Sequence, residues 1–194
     1  MEFEYTACID GIDYGFFKGD GSVVLIKTGL GGNCMGYEYK YLHMAAYLQE
    51  RYHCSVIVAS NPNDGREHTE ADRQAIERFA VQNGDPFSNL FFFGHSNGGV
   101  KGLALANSGV HFEKMILVNM PLMINPHKTK RYLTAIPQAK VLAVYGEHDP
   151  SFPYVPFIDG RYDNLELLRI PEADHNFLGL ADEFLHLSDW LFVS

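Results

Sequence analysis

Ser96 lies in the pentapeptide Gly94-His95-Ser96-Asn97-Gly98, which matches the pattern G-x-S-x-G. Such a serine can act as a nucleophile. A strand that turns at once into a helix forces the central residue into strained dihedrals and crowds the residues two before and two after it, and small residues relieve the crowding. The turn lifts the hydroxyl clear of a sheet and sets it beside a helix N-terminus, where developing negative charge is favoured. The flanks fit this. Leu90-Phe91-Phe92-Phe93 precede the turn as an apolar run, and Val100, Leu103, Ala104 and Leu105 follow it at helical spacing.

A serine hydroxyl needs a base at neutral pH, and the base needs an orienting carboxylate. Gly146-Glu147-His148-Asp149-Pro150 follows the apolar run Val141-Leu142-Ala143-Val144-Tyr145. Asp149 is the candidate acid, with Glu147 its neighbouring competitor and His148 read as a solvated turn residue. Pro171-Glu172-Ala173-Asp174-His175-Asn176-Phe177 follows a later strand-like run. His175 there is the candidate base, and Asp174 is a candidate helix cap. A metal site built from His148, Asp149, Asp174 and His175 would need neighbouring residues to converge on one point, which chain geometry disfavours. No metal and no cofactor is expected.

Short β-rich runs alternate with amphipathic stretches, so the expected fold class is α/β: a three-layer α/β/α sandwich around a mostly parallel sheet. Residues 2–9 and 13–17 read as an N-terminal antiparallel hairpin about Asp10-Gly11. Strands are expected at 22–27, 56–59, 90–93, 115–118, 141–145 and 165–170. Helices are expected at 37–52, 69–82, 98–107, 128–136 and 178–192. In open parallel sheets functional groups gather outside the carboxyl ends of the strands. Ser96, Asp149 and His175 all fall in such places. So does the glycine-rich Thr28-Gly29-Leu30-Gly31-Gly32-Asn33.

The order Ser96, Asp149, His175, each after a strand end, resembles that of the α/β-hydrolase superfamily. The resemblance covers almost the whole chain. It implies an α/β-hydrolase fold and a serine hydrolase, of the compact lidless carboxylesterase kind, cleaving small acyl esters. It also implies an oxyanion hole made by the backbone N–H of Asn97 and by a second N–H from the loop after the strand at 22–27. Leu30 is the first candidate for that second donor and Gly31 the next. The loop resembles the glycine-rich loops of lipases and esterases, but lacks their leading histidine. Members of the superfamily usually carry a lid before the strand that ends at Tyr145. Here Asn119 to Lys140 is only 22 residues, too few for a large cap, so residues 1–194 are expected to form a single domain.

Met120, Phe152 and Phe177 are candidate substrate contacts, being apolar residues near predicted loop ends. Arg66, Glu67 and His68 also follow a strand end and read as a solvated helix start. The same chemistry would serve a thioester, an amide or a lactone, and the fold can also carry a binding protein without activity.

Composition sets the remaining bounds. The formal charge is −9 over 194 residues, with no Lys/Arg cluster, which argues against a nucleic-acid partner. No apolar stretch approaches the ~20 residues needed to span a bilayer, so no membrane partner is expected. The start, Met1-Glu2-Phe3-Glu4-Tyr5, does not read as a signal peptide. Cys8, Cys34 and Cys54 are three in number and widely spaced, which suits a reducing cytoplasm rather than a disulfide framework. The expected partner is a small-molecule acyl substrate. Monomer and homodimer stay open.

Overall fold

The computed structural model of the chain describes residues 1–83, 88–124 and 126–193. Asp10 and Gly11 both take positive φ, 50° and 78°, and join β1 (Tyr5–Ile9) to β2 (Ile12–Phe17). Two such residues in a row match the right-handed twist of paired strands, which is why Asp-Gly makes a tight hairpin. β2 then pairs antiparallel with β4 (Ser55–Ala59).

From there every pairing is parallel. β3 (Ser22–Lys27) lies between β4 and β5 (Asn89–His95), and the sheet continues through β6 (Lys114–Val118), β7 (Lys140–Gly146) and β8 (Leu165–Ile170). The order across the eight strands is β1-β2-β4-β3-β5-β6-β7-β8. Central strands are buried on both faces, so they read as unbroken apolar runs rather than alternating ones.

Period-two alternation still sorts the side chains into two layers. Val23, Leu25, Phe92, Leu117 and Ala143 face one buried cluster. It is covered by α2 (Thr69–Asn83), α3 (Asn97–Asn107) and α4 (Pro126–Thr134) through Ala75, Phe79, Leu103 and Leu133. Val24, Ile26, Phe93, Ile116 and Val144 face the other. That side is covered by α1 (Lys40–Tyr52) and α5 (Ala181–His186), through Tyr41, Met44, Leu48 and Phe184. This is the expected three-layer sandwich with its antiparallel hairpin.

The last expected helix differs. Residues 178–180 stay in a turn, because Asp174 Oδ1 accepts the N–H groups of Asn176 and Leu178 and Gly179 takes φ 76°. Helix begins only at Ala181, and after His186 it tightens into a 3₁₀ turn over Leu187–Leu191. Asp174 therefore caps a turn rather than a helix.

Candidate active site

Ser96 occupies φ 54°, ψ −128°, between the last residue of β5 and the first of α3. A non-glycine residue held there costs about 1–3 kcal/mol and persists only where its surroundings fix it. Two observations show what fixes it. The Ser96 N–H donates to the Val118 carbonyl at 2.7 Å, tying the turn to β6. A Cβ added at Gly98 would lie 2.2 Å from the Lys27 carbonyl oxygen, so only glycine lets α3 start this close to the end of β3.

The Ser96 Oγ lies 2.9 Å from His175 Nε2. On the far side of the ring, His175 Nδ1 lies 2.5 Å from Asp149 Oδ2. A carboxylate only accepts, so Nδ1 carries the proton and Nε2 is free to receive one from the serine. Asp149 is buried and its other oxygen accepts the Ser151 N–H at 2.7 Å. Glu147 is exposed, and His148 lies 4.0 Å from Glu172 at the surface. Of the two candidate acids, Asp149 is the one placed against His175.

Two buried residues hold the loop that carries His175. Asn119 follows β6 with φ 47°. Its Nδ2 donates to the carbonyls of Asp174 and His175 at 3.0 and 3.1 Å, and its Oδ1 accepts the Gly146 N–H at 2.9 Å. His95 Nε2 donates to the same His175 carbonyl at 2.7 Å. That bond assigns the tautomer: Nδ1 of His95 has no proton and accepts from the Tyr41 hydroxyl at 2.9 Å. Complete burial, with Lys40 and His175 nearby, lowers the His95 pKa to about 3. His95 is therefore a neutral structural imidazole. Burial likewise raises the Tyr41 hydroxyl well above the usual phenol range.

The glycine-rich loop after β3 is pinned to the loop after β4. Gly31 N–H donates to Asn61 O at 2.7 Å, Asn61 N–H to Gly32 O at 2.9 Å, and Gly32 N–H to Gly29 O at 2.9 Å. Gly31 was a candidate oxyanion donor, but its N–H is spent on this bridge. The Leu30 N–H has no protein partner among the described residues. Asn97 opens α3, where the first N–H groups have no intrahelical acceptor.

A cavity of about 530 Å³ opens over Ser96 and His175. Its walls are the glycine-rich loop from Gly29 to Asn33, together with Gly36, Tyr37, Lys40, Tyr41, His95 and Asn176. Met120, Phe152 and Phe177 do not line it. Met120 is fully buried, because the turn at Asn119 sends it inward to pack beside Gly99 while its carbonyl accepts the Tyr145 hydroxyl. Phe152 leans on the core from a 3₁₀ turn, and Phe177 is buried edge-on to Phe184. His68 is also corrected: it is buried with Nε2 3.0 Å from Asp64, not solvated. Glu67 is exposed and pairs with Lys101 and Lys128.

Sequence reading passed over His95, Tyr41, Asn119 and Lys40. A signal existed for the first. Phe91, Phe93 and His95 alternate on one face of β5, and that face is the one α1 covers. Among the described residues, no group of three or more His, Cys, Asp or Glu is placed to hold a metal ion, and no helix is long and apolar enough to cross a membrane.

No protein-family profile matches this sequence, and no curated protein is detectably similar to it. Solved structures are similar in shape. Est1E from Butyrivibrio proteoclasticus aligns over 97% of this chain and 99% of its own, with TM-score 0.71 and 15% identity. The chain therefore has the α/β-hydrolase fold. A serine hydrolase homologue from Coxiella burnetii aligns over 96% of both chains, with TM-score 0.71 and 16% identity. XC6422 from Xanthomonas campestris, described as an α/β serine hydrolase without lid, aligns over 97% of this chain and 94% of its own, again with TM-score 0.71 and 16% identity. In this α/β-hydrolase fold, Ser96, Asp149 and His175 stand at the carboxyl ends of β5, β7 and β8.

Proposed function

We propose that this protein is a serine hydrolase, a carboxylesterase that cleaves small acyl esters through an acyl-enzyme. The observation that carries the reading is the unbroken chain from Ser96 Oγ through the His175 ring to Asp149, at 2.9 and 2.5 Å. His175 Nε2 takes the proton as Ser96 Oγ attacks the ester carbonyl. Asn97 and Leu30 offer the N–H groups for the oxyanion. His175 then protonates the leaving alcohol, and water, deprotonated by the same nitrogen, releases the acid. Asp149 holds the ring and stabilises its charged form without taking the proton.

Fold neighbours described as α/β serine hydrolases support the hydrolase part of this reading. Est1E is also described with ferulic acid bound, and XC6422 as lidless. Among the described residues, the regular structure between β6 and β7 is the nine-residue α4, which suits an open site and short acyl groups.

A fluorophosphonate probe tests the nucleophile. Wild-type protein is expected to be labelled on Ser96 and Ser96→Ala to stay unlabelled. Folded wild-type protein that resists the probe and turns over no 4-nitrophenyl ester would overturn the reading.

A further inference from the structure

The cavity over Ser96 differs from the chain as a whole in the charged groups that line it, although Lys40 also lines the adjoining hollow beside Glu38 and Asp182. The whole protein carries a formal −9, yet the cavity's lining residues include the cation Lys40 and no aspartate or glutamate. The Lys40 ammonium lies 4.8 Å from the Phe184 ring centre and 5.2 Å from that of Tyr41. Among the described residues no carboxylate comes within ion-pair distance of it, and none of its N–H donors meets a protein acceptor. Aromatic faces attract a cation but do not satisfy its hydrogen bonds. Low-dielectric walls focus the field of such a charge into the cleft.

Resting on the hydrolase reading, we propose that the natural substrate is an ester that also bears a carboxylate, and that Lys40 binds this carboxylate while Ser96 meets the ester carbonyl. A single ammonium matches a single negative charge, whereas a phosphate dianion would call for further cationic donors that the lining lacks. Asn33 and Asn176 line the same cavity and are neutral.

Burial pulls the Lys40 pKa down to about 8, against the opposing pull of Asp174. Other titratable groups around it are His95, His175, Tyr41 and Tyr37 in the cleft, and Glu38, His43 and Asp182 in the adjoining hollow. Lys40 is charged below that pH, so preference for a carboxylate is present there and fades as the pH rises through 8.

Two pairs of esters locate the charge. For a charge on the acyl side, 4-nitrophenyl hemiglutarate is compared with 4-nitrophenyl butyrate. For a charge on the alcohol side, 4-acetoxybenzoate is compared with its methyl ester. At pH 7 the charged-over-neutral ratio of kcat/KM is expected to be about tenfold higher in wild type than in Lys40→Met for one of the pairs, the scale of one charge-assisted hydrogen bond. Lys40→Arg should restore most of it. Binding to Ser96→Ala reads the same site without turnover: monomethyl glutarate should bind about tenfold tighter than dimethyl glutarate, and Ser96→Ala/Lys40→Met should lose the difference. Ratios and binding indifferent to Lys40, with esters still hydrolysed, would overturn the carboxylate site and leave the hydrolase standing. Lys40-dependent carboxylate binding in a protein that hydrolyses nothing would do the reverse.

Discussion

His95 donates its Nε2 proton to the backbone carbonyl of His175 at 2.7 Å, so the residue just before Ser96 holds the loop that carries His175. The two rings lie 5.3 Å apart, and the same bond fixes the tautomer of the inner one, whose Nδ1 accepts from the Tyr41 hydroxyl. The consequence for turnover can be measured. His95→Leu removes the donor and should lower kcat by about 10- to 100-fold with a much smaller change in KM, since a displacement of about 1 Å at the base costs roughly that much. His95→Gln can present an amide N–H in nearly the same place and should recover part of the rate. Equal kcat in wild type and His95→Leu would remove His95 from any positioning role.

The same residue makes stability depend on pH. In the unfolded chain His95 takes up a proton near its ordinary pKa of about 6.5, but in the fold burial holds it neutral down to about 3. The unfolded state therefore binds more protons between those values. The stability this contributes is complete above about pH 6.5 and is lost as the pH falls toward 3, with a limiting slope near 1.4 kcal/mol per unit. Urea denaturation at several pH values should show a steeper acid loss for wild type than for His95→Leu.

Asp149 and Glu147 are two residues apart, and their variants should separate cleanly. Asp149→Asn keeps the shape of the side chain but spoils the tautomer of His175, and kcat should fall by about 10³- to 10⁴-fold. Glu147 is exposed, and Glu147→Gln should stay within about twofold of wild type. Steady-state kinetics on a 4-nitrophenyl ester decides it, and a reversed ranking would move the acid to Glu147.

Gly98→Ala tests the packing behind the turn. The new methyl would meet the backbone oxygens of Lys27 and Thr28 at 2.2 and 2.6 Å, neither of which can rotate away. Overpacking of this kind costs about 1–3 kcal/mol or more, so a thermal melt should show a clear loss of Tm. Labelling of Ser96 by a fluorophosphonate should weaken as well.

Under the glycine-rich loop, Lys27 is fully buried, with its Nζ 2.8 Å from Asp72 Oδ1. The Tyr14 hydroxyl donates to the same oxygen at 2.8 Å. Asp72→Ala would leave an unpaired buried ammonium and should destabilise the fold by about 3–5 kcal/mol in chemical denaturation. The double variant Lys27→Met/Asp72→Leu should recover a large part of that loss. No recovery would show that the pair does more than balance charge.

Much of this is legible in the sequence. Apolar runs such as Val23-Val24-Leu25-Ile26 announce buried strands, and Asp10-Gly11 announces a hairpin, because both signals depend on residues adjacent in sequence. That Ser96, Asp149 and His175 would lie near one another was legible for a related reason: each sits past a strand end, and parallel strands bring such ends together. The substrate contacts were not. Met120 and Phe177 have the composition of pocket residues, but a turn at Asn119 and the packing of Phe184 turn them into the core, and no local pattern encodes that.

The sequence by itself determined the alternation of strands and helices, the turn that exposes Ser96, and the order in which Asp149 and His175 follow it. These are short-range features, fixed by dihedral preference and hydrophobic period. Only the tertiary structure decided that Asp149 rather than Glu147 meets His175, that Gly31 is spent on Asn61, that His95 and Asn119 hold the loop of His175, and that Lys40 and Ser96 line one cavity. Each of those depends on which of several polar groups, distant in sequence, ends within about 3 Å of another. The packing of separate elements sets such distances, and spacing along the chain does not.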